Sequence, residues 1–191
     1  MNKVVIGLGS GRCGTMSLAH LLDSQPDSCV THEACPLPWE FDAQAWDFMS
    51  QKLLGYQGEI IGDVGYYWIN YVDSLLEILP QARFVCLKRE KEEVIVSMWN
   101  YSRGLNVNPA DPWYRMYPLY NADRKTAIGM MWDDYYEIAE TMKNKYPDIF
   151  KIVSMNDLNT DEGVSSILRF VGIPDNVQNR IVGIKANAGK S

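Results

Sequence analysis

With 191 residues, 47% of them hydrophobic and 22% charged, the chain is long enough for one domain with a substantial core, and its composition argues against disorder. Twenty-four acidic against eighteen basic residues leave a formal charge of −6. That bulk field disfavours nucleic acid and anionic membrane surfaces, so any polyanionic ligand must meet a local basic site.

Strand residues begin at Lys3 and no apolar run approaches the roughly twenty residues of a membrane span, so no leader or anchor is expected and a cytoplasmic protein is. Cys13, Cys29, Cys35 and Cys86 lack C-x-x-C spacing, and only His20 and His32 could join them. Free thiols and no structural metal are therefore expected.

The stretch from Val4 to Leu18 reads as a buried strand, a glycine loop and an amphipathic helix. Gly9, Gly11 and Gly14 permit backbone angles that turn successive N–H groups inward around an anion, and the helix opening near Thr15 adds its free N–H groups and dipole. A nucleotide kinase loop would carry Gly-Lys-Ser/Thr here. This loop has Arg12 instead, whose planar fork grips two oxygens of one anionic group. A strand-turn-helix that merely needs glycines is the alternative.

Helix one is predicted over Thr15 to Leu22, followed by a short strand, Ser28 to Thr31, that delivers His32 and Glu33 to its end. A proline-broken loop, Ala34 to Pro38, leads to an aromatic-rich helix over Trp39 to Leu54. Gly58 to Gly65 reads as a further strand, Tyr71 to Leu79 as a helix stopped by Pro80, and Ala82 to Leu87 as a central parallel strand covered on both faces. After the charged run from Lys88 to Glu93 comes a helix over Val94 to Tyr101. The segment 102–121 is rich in Asn, Pro, Tyr and Trp without periodicity, which suggests an acceptor loop or lid, or a plain surface excursion. Arg124 to Tyr146 is the longest predicted helix, with Ile128, Met131, Trp132, Tyr135, Ile138 and Met142 on its buried face. A strand, Phe150 to Val153, a helix, Asp161 to Val171, and a polar tail from Ile181 complete the chain. Alternating strands and helices predict an α/β fold, a three-layer sandwich around a central parallel sheet, in one domain over 1–191.

Arg89 ends the central strand and Ser97 follows eight positions later. Two helical turns rise about 11 Å, so the guanidinium and the hydroxyl can converge on one phosphate. A solvated charge cluster capping a helix is the alternative.

The two blocks, Gly9-Ser10-Gly11-Arg12-Cys13-Gly14-Thr15-Met16-Ser17 and Phe84 to Arg89 with Ser97, together resemble the sulfotransferases that use 3′-phosphoadenosine-5′-phosphosulfate (PAPS). A third block, Lys151 to Leu158 followed by a helix and Phe170-Val171-Gly172-Ile173-Pro174, is similar to the late part of the same family. The resemblance implies a P-loop-like sulfotransferase architecture. It implies that Ser10, Gly11, Arg12, Cys13, Gly14, Thr15, Met16 and Ser17 hold the 5′-phosphosulfate of PAPS, and that Arg89 and Ser97 hold the 3′-phosphate that remains on the product PAP. Glu33 resembles the acid/base carboxylate of the heparan sulfate and tyrosylprotein branches, with His32 the other candidate base and Arg12 the catalytic cation. Many cytosolic members carry Lys where this chain has Arg12, and Met155 stands where some place a tyrosine against the adenine. The implied reaction moves a sulfonate to a hydroxyl or amine of a small-molecule, carbohydrate or aryl acceptor without a metal. A kinase-like phosphotransferase, with Asp63 as its metal-binding carboxylate, and a non-catalytic nucleotide-binding module are the rival expectations.

Overall fold

The computed structural model describes residues 2–34, 43–102 and 120–184, with the side chains of residues 43–45 left out. Five strands, β1 (Lys3–Leu8), β2 (Ser28–His32), β3 (Ile60–Val64), β4 (Arg83–Lys88) and β5 (Phe150–Ser154), form one sheet in the order β2-β3-β1-β4-β5. Every neighbouring pair is parallel, with Val5 opposite both Gly62 and Arg83. Parallel strands need covered faces, and the side-chain alternation of β1 supplies both. Val4, Ile6 and Leu8 join one core with Tyr67, Trp68, Leu75, Phe84 and Phe150, while Val5 joins the other with Leu18, Leu22, Val85 and Leu168.

The helices are α1 (Thr15–Asp23), α2 (Ala43–Leu54), α3 (Val72–Ile78), α4 (Lys91–Ser102), α5 (Arg124–Lys145) and α6 (Asp161–Phe170). The first core takes residues of α2, α3 and α5, and the second those of α1 and α6. After β1 the chain passes through α1 to β2 on one side of the sheet, whereas β4 lies on the other side of β1. The loops leaving β1 and β4 thus part at adjacent strand ends, the switch point at which open α/β sheets bind ligands.

Several predicted boundaries move. His32 closes β2 instead of following it, because its backbone pairs with Val64 of β3. The helix predicted from Tyr71 is preceded by a 3₁₀ segment, Tyr66–Tyr71. The acidic residues Glu92 and Glu93 form the first turn of α4, where they suit the helix dipole. On α5 the buried stripe runs through Ile128, Tyr135, Tyr136 and Ala139. Ile138, expected inside, is 38% exposed. The predicted start of α2 at Trp39, nearly all of the segment 102–121, Cys35 and the end of the tail lie outside the described residues. No helix among the described residues is long and apolar enough to cross a membrane.

Asp63 fixes the edge of the site. It is 1% exposed, and its carboxylate accepts from Thr31 Oγ1 at 2.6 Å, Tyr67 Oη at 2.9 Å and Trp68 Nε1 at 2.7 Å. Its oxygens are therefore committed to holding the 3₁₀ segment and β2 against β3. Asp63→Ala would strand the two buried aromatic donors, and at about 1–3 kcal/mol for each stranded group the loss of unfolding free energy should be roughly 3 kcal/mol. Asp63→Asn keeps one acceptor oxygen and should lose about half as much. Urea unfolding of the two variants checks the order. Equal losses would show that the oxygen the amide keeps contributes nothing.

Candidate functional site

The loop leaving β1 folds back tightly on itself. A Cβ on Gly9 would lie 2.2 Å from Cys13 Sγ and 3.2 Å from the Leu87 carbonyl of β4. Gly11, Arg12 and Gly14 adopt positive φ, at 84°, 56° and 95°. Positive φ is uncommon for a residue with a Cβ, so Arg12 is the strained member of this turn. Gly14 caps α1, and its carbonyl accepts from Leu18 N at 3.0 Å. The N–H groups of Thr15, Met16 and Ser17 thus lie in the first helical turn, beyond the reach of the intrahelical ladder.

The structure brings the two arginine blocks together. Arg89 Nη1 donates to the Arg12 carbonyl at 3.1 Å, and Arg12 Nε donates to Ser97 Oγ at 3.2 Å. The Arg12 guanidinium also lies over the Tyr101 ring, 4.8 Å from its centroid. Arg89 Nε is paired with Glu93 at 2.8 Å, one turn along α4. Arg12, Arg89 and Ser97 form one network across the ends of β1 and β4.

The other predicted residues divide by what their side chains do. Ser10 is buried and donates to Tyr136 Oη at 3.4 Å. The Cys13 thiol is buried under the loop, and burial pushes its pKa up to about 11 against the opposing N–H groups of Gly11 and Cys13. It is a protonated packing group, so any part it takes in anion binding falls to its backbone. Thr15 Oγ1 lies 3.0 Å from His32 Nε2. Ser17 donates to the Ile184 carbonyl at 2.7 Å. Met155 packs against Gly14, where a Cβ would approach its Cγ to 3.0 Å.

Glu33 sits just past β2 with φ 48°, its N–H donating to the Val64 carbonyl at 3.0 Å. It keeps contact with solvent, yet the protein around its carboxyl and then the Asp63 charge push its pKa up. Burial holds the His32 imidazole below its ordinary range, and the Asp63 charge only partly offsets this. Asp63, the carboxylate a kinase would need for metal, is committed to its hydrogen bonds instead.

Two residues at this edge were not singled out for the site. The helix period puts Tyr135 on a buried face and is silent on Tyr136, yet Gly9 N donates to Tyr135 Oη at 2.9 Å and Tyr136 Oη donates to the Leu87 carbonyl at 2.7 Å. Adjacent tyrosines on a core-facing helix are the available signal, since a buried phenol needs a polar partner.

Residues 72–185 match the sulfotransferase domain family. The match takes in Arg89, Ser97 and the β5 block, and leaves the glycine loop, His32 and Glu33 outside it. The fold is similar to that of a sulfotransferase from Alicyclobacillus acidocaldarius, with TM-score 0.58 and 17% identity over 97% of this chain and 87% of that one. It is also similar to mouse sulfotransferase SULT7A1 complexed with PAP, with TM-score 0.61 and 16% identity over 90% of this chain and 60% of that one. No curated protein matches the chain in sequence.

The raised pKa of Glu33 has a measurable sign. The folded chain holds this proton more tightly than the unfolded chain, so stability falls as pH rises from the ordinary value of 4.5 through the raised one. Glu33→Gln removes that loss. The variant should be more stable than wild type at neutral pH, by a small margin given the solvent contact, and the margin should close below the ordinary value. Thermal unfolding across this range checks it; a variant less stable at neutral pH than at acid pH, relative to wild type, would mean the carboxylate is a favourable partner in the fold.

Proposed function

We propose that this chain, which belongs to the sulfotransferase family, takes a sulfonate from PAPS and transfers it to a hydroxyl or amine of a small-molecule, carbohydrate or aryl acceptor. The observation that carries the donor assignment is the junction of the two arginine blocks, where Arg89 holds the Arg12 carbonyl and Arg12 reaches Ser97. A donor with anionic groups at both ends of one nucleoside fits two such cationic blocks on neighbouring strand ends.

The residues fit that ligand on their own chemistry. The positive-φ turn at Gly11, Arg12 and Gly14 and the first turn of α1 would hold the 5′ anion, and Arg89 with Ser97 the 3′-phosphate. When bound, PAPS supplies the sulfonate and a phosphate leaving oxygen on which negative charge grows. Arg12 supplies fixed positive charge to that region, and the helix N–H groups add donors that need no reorganisation. Glu33, as carboxylate, takes the acceptor's proton as its oxygen or nitrogen bonds to sulfur. A pKa raised above the ordinary carboxylate value makes it a stronger base for that work. His32, engaged with Thr15 and kept neutral by burial, orients the start of α1.

PAP at 100 times its dissociation constant should stabilise the fold by about 2.7 kcal/mol, with ATP–magnesium well behind it. Arg89→Ala should narrow the gap between nucleotides with and without a 3′-phosphate, since a hydrogen bond to a charged group is worth about 1.5–3 kcal/mol. Calorimetry reads both, and a larger stabilisation by ATP–magnesium would favour the kinase reading.

Glu33→Gln keeps size and polarity but removes the base, and should cost about 10²–10⁴-fold in kcat with an acceptor found by screening against labelled PAPS. PAP affinity should be nearly unchanged, and His32→Asn should cost less. A deeper loss in the His32 variant would move the base to His32.

A further inference from the structure

We infer that Tyr135 and Tyr136 are positioning residues for the anion loop, acting through Gly9, Ser10 and the end of β4 without touching the ligand. The inference rests on the donor reading above and adds to it the element that holds the loop in shape.

Each phenol has one proton to give and lone pairs to receive, and the two are used in the same way. Tyr135 Oη donates to the Tyr66 carbonyl at 3.1 Å and accepts from Gly9 N at 2.9 Å. Tyr136 Oη donates to the Leu87 carbonyl at 2.7 Å and accepts from Ser10 Oγ at 3.4 Å. Both side chains are buried, and burial raises both pKa values far enough to keep the hydroxyls protonated. One stretch of α5 therefore ties together the chain just after β1, just after β3 and at the end of β4. Trp132, a turn earlier, adds a hydrogen bond from Nε1 to the Arg89 carbonyl at 3.1 Å.

The loop needs such a clasp. Its following residues, at positive φ, leave the sheet ladder, and Gly9 packs too closely on Cys13 and Leu87 for a small shift to go unopposed. A phenol lost at either point frees the first residues of the turn. The arginine blocks beyond it keep their own contacts through Ser97 and Glu93. Loss of the clasp should fall on the 5′ end of the ligand and spare the 3′ end.

The test compares PAP with adenosine 3′-monophosphate, which lacks the 5′-phosphate, by calorimetry on the full chain. The proteins are wild type, Tyr135→Phe, Tyr136→Phe and the control Tyr146→Phe, whose hydroxyl bonds Asp73 at 2.7 Å away from the loop. Each of the first two variants should lose about fivefold to tenfold in PAP affinity, the scale of one hydrogen bond, and less than about twofold for the monophosphate. The control should change neither ratio. A partly unfolded sample lowers the number of sites for both ligands together and leaves their relative affinities intact, and either variant alone suffices. Equal losses for both nucleotides, or none, would overturn the positioning role while wild-type preference for PAP still stands. A wild type that binds the two nucleotides equally would instead overturn the assignment of the loop to the 5′ end, and this inference with it.

Discussion

The site depends on the close approach of the β1 loop to the end of β4. With Gly9 seated against Cys13 and the Leu87 carbonyl, the chain has no straight path out of β1 and must turn through positive φ at Gly11, Arg12 and Gly14. Because Arg12 lies inside that turn, its carbonyl faces Arg89 and its side chain reaches Ser97 on α4. The cationic character of the crevice in a chain of charge −6 is thus a product of backbone geometry more than of composition.

The parallel order makes that approach available. β1 and β4 are neighbours, yet α1 packs in the core on one face of the sheet while α5, against which α4 rests, packs in the core on the other. Their loops leave the sheet toward opposite faces at this switch point. A separation of that kind costs backbone hydrogen bonds that the strands can no longer provide. The phenols of α5 replace some of them, and the Arg89–Glu93 pair holds the guanidinium at the end of β4.

Much of this was legible in the sequence because the signals are local. The glycine spacing from Gly9 to Gly14, the apolar run ending at Arg89 and the Ser97 offset each describe a few consecutive residues, and the structure joins them as the strand order requires. The near-continuous apolar run of β4 likewise reads correctly as a strand covered on both faces. What escaped were contacts between distant residues. Nothing near Tyr135 points to Gly9, 126 positions away. The helix period places a stripe on α5 but leaves its rotation open, so Ile138 is expected inside where it is 38% exposed, and the buried Tyr136 goes unremarked. Asp63 reads as a free carboxylate after a strand only while the aromatic pair Tyr67-Trp68, folded back over it by the 3₁₀ segment, is out of view.

Asp63 and Glu33 divide two tasks that one carboxylate could not perform. Asp63 is buried, with its carboxylate oxygens held by Thr31, Tyr67 and Trp68, so they are committed to the fold and turned away from any acceptor. Glu33 stands beyond the strand end with solvent contact, and the protein around its carboxyl first, then the Asp63 charge, lift its pKa. In the proposed reaction the immobile carboxylate thereby tunes the working one, and it does so without competing for the acceptor. The arrangement costs stability at neutral pH by the same electrostatics that make Glu33 a stronger base. In the proposed reaction this carboxylate, whose charge costs the folded chain stability on a residue already in the left-handed region at φ 48°, is the group placed to gain a proton as the acceptor loses one, which a neutral amide there could not do.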